Sequence, residues 1–382
     1  MTTIDSIPED VLVDYGRLLL LYELQSAQLV SKYWYRWVHK HLTVFKRYHF
    51  ILTRESIINS IDVDRFKYST ITVTKMPLSD INKFHFLSSV PNLTLSYIDE
   101  DCDYWTSDDM FLTQSLTLSC CQKIKSIDIH FSNLITIKIS NCPKLTSYPG
   151  YGTLHNLDII NYKMSTEVPN IKDYPKLREL SLFGIQRPIN IDVFSDLKFL
   201  TYLDFTHCPH LVSLSSLTIL KNLESLFITH SNISDLSPLS KLDKLGTLDL
   251  SHCKNIRDVS PVRHVKCLTL IKTNIVDVSS LMYVEQLDLD YCRYIHDFRS
   301  LRHVTRLSVI KTNFCDRDIQ YLNDTNCDLL VLDARWTRLR CVDISKIDIK
   351  MINLEYCKLS KFIPSIEPCL TYLPKNFNPL TD

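Results

Sequence analysis

Apolar residues recur along this chain as pairs separated by one position, and the pairs return every 19 to 25 residues. The first members are Ile71, Leu93, Leu116, Ile137, Leu157, Leu180, Leu203, Leu226, Leu248, Leu268, Leu287, Leu307, Leu332 and Ile352. Two residues on, the position is apolar in all fourteen copies, from Val73 and Leu95 to Ala334 and Leu354. Alternation of this kind puts both members on one face of a short strand. Five residues past each anchor stands a small or sulfur residue in most copies, as at Cys121, Cys142, Cys208, Ser231, Cys253, Thr273, Cys292, Thr312, Thr337 and Cys357. Another apolar residue follows at plus seven or eight, such as Leu145, Leu211, Ile233, Ile256 and Ile295. The block LDLSHCKNIRDVSPVRHV at 248–265 returns 39 residues later as LDLDYCRYIHDFRSLRHV, which points to duplication of a two-repeat unit.

The pattern resembles the leucine-rich repeat. Residues 223–244 are similar to a 22-residue repeat of the intracellular type, and LDFTHCPHL and LDLSHCKNI resemble the cysteine-containing type. The resemblance implies an α/β solenoid, a leucine-rich-repeat horseshoe of about 14 repeats with a parallel inner sheet. One such coil cannot bury its own apolar face, so stability comes from stacking. Turns containing Asp-Leu-Ser-Pro and Asp-Val-Ser predict irregular or 3₁₀ outer segments in place of long helices. Pro364, Pro368, Pro374 and Pro379 should prevent a further regular repeat, so 68–362 reads as the repeats and 363–382 as a C-terminal cap or tail.

Residues 1–50 lack this register and read as short helices. Ser6-Ile7-Pro8-Glu9-Asp10 has the capping residue, proline and acids of a helix start. Leu12, Tyr15, Leu18 and Leu19 follow at helical spacing. A second stretch through Leu24 and Leu29 ends in VSKYWYRWV. This segment is similar to an F-box, in which Leu-Pro-x-Glu precedes Val-Ser-Lys-x-Trp. Pro8 and Trp34 keep the family's separation of 26 residues without a gap, although Ile7 replaces Leu and Gly16 interrupts the first helix. The sequence therefore reads as an F-box-like helical domain at 1–50, a linker or N-terminal cap at 51–67, and the repeats. The plain alternative is a helical cap for the solenoid.

Lys plus Arg and Asp plus Glu are 43 each, so the formal net charge is zero, which argues against nucleic-acid binding through bulk charge. Only five glycines occur, with neither GxGxxG nor GxxxxGK[ST], so Rossmann and P-loop readings fall away. The acidic start MTTIDSIPED is no signal peptide, and the aliphatic run Leu18–Leu21 is too short to span a bilayer. Thirteen cysteines without a signal favour reduced thiols and a cytoplasmic setting, with the nucleus also open. The composition, rich in Ile, Lys, Asn, Asp and Tyr, looks like that of proteins from large DNA viruses of amoebae, which would make the setting a host's cytoplasm. No spacing suggests a metal or cofactor: the plus-five cysteines form no CxxC pair, and reduced core packing is expected of them.

The F-box resemblance implies the substrate-recognition subunit of an SCF-type ubiquitin ligase. Pro8, Leu12, Leu24, Val30 and Trp34 would face the Skp-type adaptor that links to the cullin complex, and the repeats would hold the protein substrate. Chemistry would occur on partner proteins, so the chain itself is expected to be no enzyme. The rival reading is a protein-binding scaffold or regulator without a ubiquitin link. Positions plus one and plus three from each anchor alternate away from the core, and plus four lies at that face's exit edge. From the seventh copy onward these columns become aromatic and charged. The candidate substrate residues are His207, Phe227, His230, Asp249, His252, Lys272, Asp288, Asp290, Tyr291, Lys311, Arg335, Trp336 and Tyr356. Three histidines in register predict pH sensitivity near neutrality.

Overall fold

The computed structural model describes residues 49–52, 70–75, 90–98, 104–106, 112–128, 131–145, 152–160, 171–189, 191–325 and 327–377, with isolated positions 81, 87 and 149. The F-box-like segment, including Pro8, Leu12, Leu24, Val30 and Trp34, lies outside the described residues. The chain divides into two compact units, Met1–Lys176 and Leu177–Asp382.

In the first unit the strands are β1 (His49–Leu52), β2 (Thr70–Thr74), β3 (Asn92–Ser96), β4 (Tyr104–Thr106), β5 (Ser115–Ser119), β6 (Ser126–Asp128), β7 (Thr136–Ser140) and β8 (Asn156–Ile160). Parallel pairing runs β1-β2-β3-β5-β7-β8, and β4 pairs separately with β6. In the second unit they are β9 (Glu179–Phe183), β10 (Tyr202–Asp204), β11 (Ser225–Phe227), β12 (Thr247–Asp249), β13 (Cys267–Thr269), β14 (Gln286–Asp288), β15 (Arg306–Ser308), β16 (Val331–Asp333), β17 (Cys341–Asp343), β18 (Met351–Asn353), β19 (Lys361–Ile363) and β20 (Leu370–Tyr372). They pair in parallel from β9 through β16 to β18 and β20, with β17 and β19 apart.

The register is the sequence register. Leu203 pairs with Leu226, Leu226 with Leu248, and so on to Leu332 with Ile352. No anchor is more than 3% exposed and no plus-two residue more than 2%, so the alternation marks the inward face in every copy. A fully buried aliphatic side chain contributes about 1.5–3 kcal/mol, and each coil gains this only when its neighbours cover it. The structure carries the pairing beyond both expected ends. β1 extends it one coil before Ile71, with Phe50 opposite Ile71. β20 extends it into the proline-containing tail, where Thr371 stands opposite Ile352. The tail prolines flank that strand instead of excluding it.

Outside the sheet the coils close through 3₁₀ turns, as expected, at Ser215–Ile219, Ser237–Lys241, Ser260–Val262, Ser279–Leu281 and Arg299–Leu301. Asp235, Asp258 and Asp277 fix the entry to three of them, each accepting the N–H two residues on at 2.8 Å. Leu217, Leu239, Val262, Leu281 and Leu301 then turn inward. The long coil between Leu307 and Leu332 instead holds α1 (Asp316–Asp324).

The corner after the strand is where the repeat is decided. Every described plus-four residue, from Lys75 to Tyr356, has φ between 52° and 76°, and only Gly184 among them is glycine. That left-handed turn aims the plus-four N–H at the plus-three carbonyl of the next coil. The bonds run from Lys75 to Ser96 (3.1 Å), His230 to Ser251 (3.0 Å), Tyr291 to Ile310 (2.7 Å) and Trp336 to Glu355 (3.2 Å). The plus-five side chain then closes the carbonyl at plus two of the preceding coil. Cys208 Sγ donates to Leu182 O, Cys253 Sγ to Ile228 O and Cys292 Sγ to Leu270 O, each at 2.9 Å, and Cys357 Sγ to Ala334 O at 3.1 Å. Where threonine stands at plus five, its hydroxyl turns to the plus-two carbonyl of its own coil, as Thr273 does to Leu270 at 2.8 Å.

Cys121, Cys142, Cys208, Cys253, Cys292 and Cys357 are free and no more than 6% exposed. Burial pushes the Cys208 thiol up to about 12 and raises Cys253 and Cys292, so thiolate is scarce at neutral pH. A thiol-reactive dye should leave these six unlabelled in the native protein while reaching exposed Cys341, and denaturant should expose all of them. Rapid native labelling of several would break the assignment. The left-handed corner gives a second test. Lys272→Val should lower the denaturant midpoint more than Lys272→Asn, by about 1–2 kcal/mol, because Asn tolerates positive φ and a β-branched residue does not. Equal midpoints would show that the corner's conformation carries no cost.

Candidate functional site

The candidate residues of the second unit separate into a floor, at plus one and plus three, and a rim, at plus four. The floor is largely occupied with its own backbone. The plus-two N–H bonds the next coil's plus-one carbonyl, as Leu270 to Asp288 and Val309 to Asp333 at 2.8 Å. The plus-three N–H faces the other way, and carboxylates meet it. Asp204 Oδ1 accepts the Thr206 N–H at 2.7 Å, Asp249 that of Ser251 at 2.8 Å, and Asp288 that of Asp290 at 3.0 Å. Asp333 and Asn353 do the same for Arg335 and Glu355. Asp290, 9% exposed, accepts from Ser308 Oγ at 2.6 Å and from the Ile310 N–H at 2.9 Å. Arg335 is paired with Asp333, Nε to Oδ1 at 2.9 Å and Nη2 to Oδ2 at 2.8 Å.

Burial raises both carboxyls of the Asp288–Asp290 pair. Asp288 reaches about 7, helped by the charge of Asp290 beside it. Asp249, Asp288, Asp290 and Arg335 thus have structural partners already. Phe227 is half-buried, its ring 5.3 Å from that of Tyr202 on the neighbouring strand.

The rim consists of two stacked runs, His207 to His252 and Lys272 to Tyr356. His207 and His230 lie face to face at 4.0 Å, and His230 and His252 at 3.9 Å. Lys272 Nζ and Lys311 Nζ cover the Tyr291 ring from 5.2 and 5.1 Å, and Lys311 Nζ also lies 5.1 Å from the Trp336 ring centre. Trp336 and Tyr356 stack at 4.4 Å and 7° between planes. The left-handed corner explains the order: it sends each plus-four side chain out in parallel, one strand spacing from the next. At about 4.8 Å flat rings stack and ammonium groups sit over them. Trp336 and Tyr356 nevertheless remain 50% and 57% exposed.

The sequence grouped floor and rim residues as one surface and overlooked a third column. At plus six stand Lys254, Arg293, Arg338 and Lys358, all exposed. The signal was present: in the duplicated unit, plus six alternates between Asn and a cation. Asn232, Asn274 and Asn313 donate to the plus-six carbonyl of the preceding coil, at Pro209, Lys254 and Arg293. The cations have no such bond among the described residues.

His230 and His252 are shifted below the near-neutral range that the sequence suggested. Loss of hydration lowers His230 to about 4, helped by His252, His207 and Lys272, and burial then Lys272 lower His252. Neutral rings stack at 4 Å, whereas imidazolium ions repel. A depressed folded value means that the unfolded chain binds the proton more readily, so this contribution is present above about 6.5 and is lost as pH falls toward about 4. The urea midpoint should fall through that window, and His230→Asn, which tolerates the same backbone, should flatten the fall. Identical pH profiles for the two proteins would remove the stack as its cause.

Comparison with known proteins agrees with this geometry. Residues 221–264 match the family model described as leucine-rich repeats in two copies. No curated protein matches the chain. Among solved structures it is similar to TLR13 in its complex with ssRNA13, at 16% identity and a TM-score of 0.55, over 83% of this chain and 59% of that one. It is also similar to the internalin InlF of Listeria monocytogenes strain 4b F2365, at 19% identity and 0.45, over 67% and 81%. The functional domain of InlJ from Listeria monocytogenes, described as including a cysteine ladder, matches at 16% and 0.48, over 78% and 67%. The likeness to TLR13 is one of fold alone, and with the family match over 221–264 and the repeat geometry it makes the described chain a leucine-rich-repeat solenoid.

Proposed function

We propose that the second unit binds a protein partner across its open sheet face and rim, between residues 202 and 356. One observation carries this reading. At a left-handed position, where glycine or asparagine costs least, the chain places His, Lys, Tyr and Trp in eight successive coils from His207 to Tyr356. Trp336 and Tyr356 are exposed and Phe227 is half-buried, and exposed aromatics among mixed charges suit protein recognition.

The finer reading makes the chain the substrate receptor of an SCF-type ubiquitin ligase. It rests on the gap-free spacing from Pro8 to Trp34 and on the order of F-box-like segment before repeats. In it the first forty residues hold a Skp-type adaptor and cullin, the repeats hold the target, and the setting is cytoplasmic or nuclear. This chain then contributes placement, raising the effective concentration of a target lysine near the conjugating enzyme.

Affinity purification of the full chain from cells tests both levels. The ligase reading expects the adaptor and cullin to co-purify, and Trp34→Ala to weaken adaptor binding by at least about 2 kcal/mol, as loss of an interface anchor does. A partner retained without adaptor or cullin would leave the scaffold reading standing alone. Phe227→Ala combined with Trp336→Ala should release the repeat-bound partner without affecting the adaptor. Unchanged capture by that double variant would move the site away from this face.

A further inference from the structure

From the plus-four and plus-six columns we infer that the rim binds an extended acidic segment of the protein partner; this rests on the protein-binding reading above and names the chemistry it recognises. In the eight coils from Leu203 to Ile352, positions plus four to plus six contain no Asp or Glu. Each of the last six coils places one cation there: Lys254, Lys272, Arg293, Lys311, Arg338 and Lys358. None of the six forms an ion pair with a described residue, although Lys266, Arg299, Arg317, Arg335, Lys346 and Lys350 in the same unit do. Most nearby carboxylates are committed, Glu355 beside Tyr356 being the exception. Asp249, Asp288 and Asp290 accept backbone N–H groups on the floor, and Asp316 accepts those of Arg340 and Cys341. Positive charge without ion-pair partners therefore collects along one edge of a chain whose net charge is zero.

The middle of that edge is a groove. Arg293, His296, Lys311, Asn313, Trp336 and Arg338 line an open depression of about 490 Å³ with no acidic residue in its wall. Asn313 is tied to the Arg293 and Ile295 carbonyls, which leaves the guanidinium and ammonium groups, with the Trp336 indole N–H and the His296 ring, to meet a ligand in the groove. Arg presents a planar fork matched to a carboxylate, and Lys a point charge. One cation per coil at about 4.8 Å spacing makes a stripe roughly 24 Å long, which an extended peptide of about seven residues covers.

A single-stranded nucleic acid fits less well. Such ligands gain much of their affinity by stacking bases on open aromatic faces. Here the Tyr291 ring lies between Lys272 and Lys311, and Trp336 lies between Lys311 and Tyr356. The faces of Tyr291 and Trp336 are thus covered from both sides, which leaves their edges, suited to an acceptor oxygen, as what they offer.

The test uses the full chain and a fluorescein-labelled peptide of alternating Glu and Gly, about twelve residues long so that it spans the stripe. Fluorescence anisotropy should show binding that weakens with added salt, and none for the matching Gln–Gly peptide. Arg293→Gln, Lys311→Gln and Arg338→Gln together should weaken it about tenfold, the sum expected of three exposed pairs. Lys254→Gln with Lys358→Gln, at the stripe's two ends, should weaken it about threefold and serves if the triple variant melts early. Failure of the acidic peptide to bind, or binding unchanged in both variants, overturns the inference. So does a thymidylate hexamer that binds more tightly and is lost in the same variants. Retention of the cellular partner by the triple variant, with no acidic-peptide binding, would sink this inference while leaving the protein-binding reading intact.

Discussion

Each strand of this solenoid must leave the sheet within a few residues, and the corner that does so governs the rest of the structure. After plus three the backbone enters the left-handed region, which costs an ordinary side chain of order 1 kcal/mol per coil. What offsets that cost is hydrogen bonding. The turn aligns one N–H with the next coil and leaves a plus-two carbonyl facing the interior. A buried carbonyl without a partner costs about 1–3 kcal/mol; Cys208 and Cys253 donate to those of Leu182 and Ile228, while Cys292 and Cys357 add a second donor to the Leu270 and Ala334 carbonyls, which Thr273 and Thr337 already bond. The small, weakly polar thiol suits the place because it is buried like an apolar group yet can donate to the carbonyl and, at Cys253, Cys292 and Cys357, meet the plus-five hydroxyl of the preceding coil.

The same corner makes the floor acidic. A strand that turns this way leaves its plus-three N–H unmatched by the neighbouring coil, and a carboxylate two residues earlier is the shortest acceptor available. Asp204, Asp249, Asp288 and Asp333 are therefore explained before any partner is invoked. Reversing their charge would damage the sheet edge along with any binding, so altered capture in such variants says little about contact. A carboxyl as high as about 7 at Asp288 has a structural cause too: it shares a buried site with Asp290.

Much of the fold was legible in the sequence because burial in a stacked coil enforces strict positions. Leu226, Leu248 and Leu268 pair in the structure as they align in the chain. Legibility fell where that constraint loosens. The pairing continues to β20, where Thr371 occupies an anchor position and nothing in a search for paired apolar residues would find it. The plus-four residues were visible as a column, but their left-handed backbone was not, since His, Lys, Tyr and Trp carry no signature of positive φ. The pH behaviour of His230 and His252 was misjudged for a related reason: identity gives the ordinary value, whereas loss of hydration in a 4 Å stack beside Lys272 lowers it.

What a repeat's geometry already explains must be set aside before the remainder is read as function. Stacking at one strand spacing accounts for how the rings and the Lys272 and Lys311 ammonium groups pack on one another at plus four, though not for why such side chains stand at a left-handed position. Backbone capping accounts for the floor, and carbonyl closure for Asn232, Asn274 and Asn313 at plus six. None of these constraints reaches Lys254, Arg293, Arg338 or Lys358. They cover no ring, bond no backbone and pair with no described carboxylate, yet they fall on one edge in register. A solvated surface tolerates cations anywhere, but it has no physical reason to align them while excluding every acid from three columns over eight coils. An anionic partner lying along that edge supplies one.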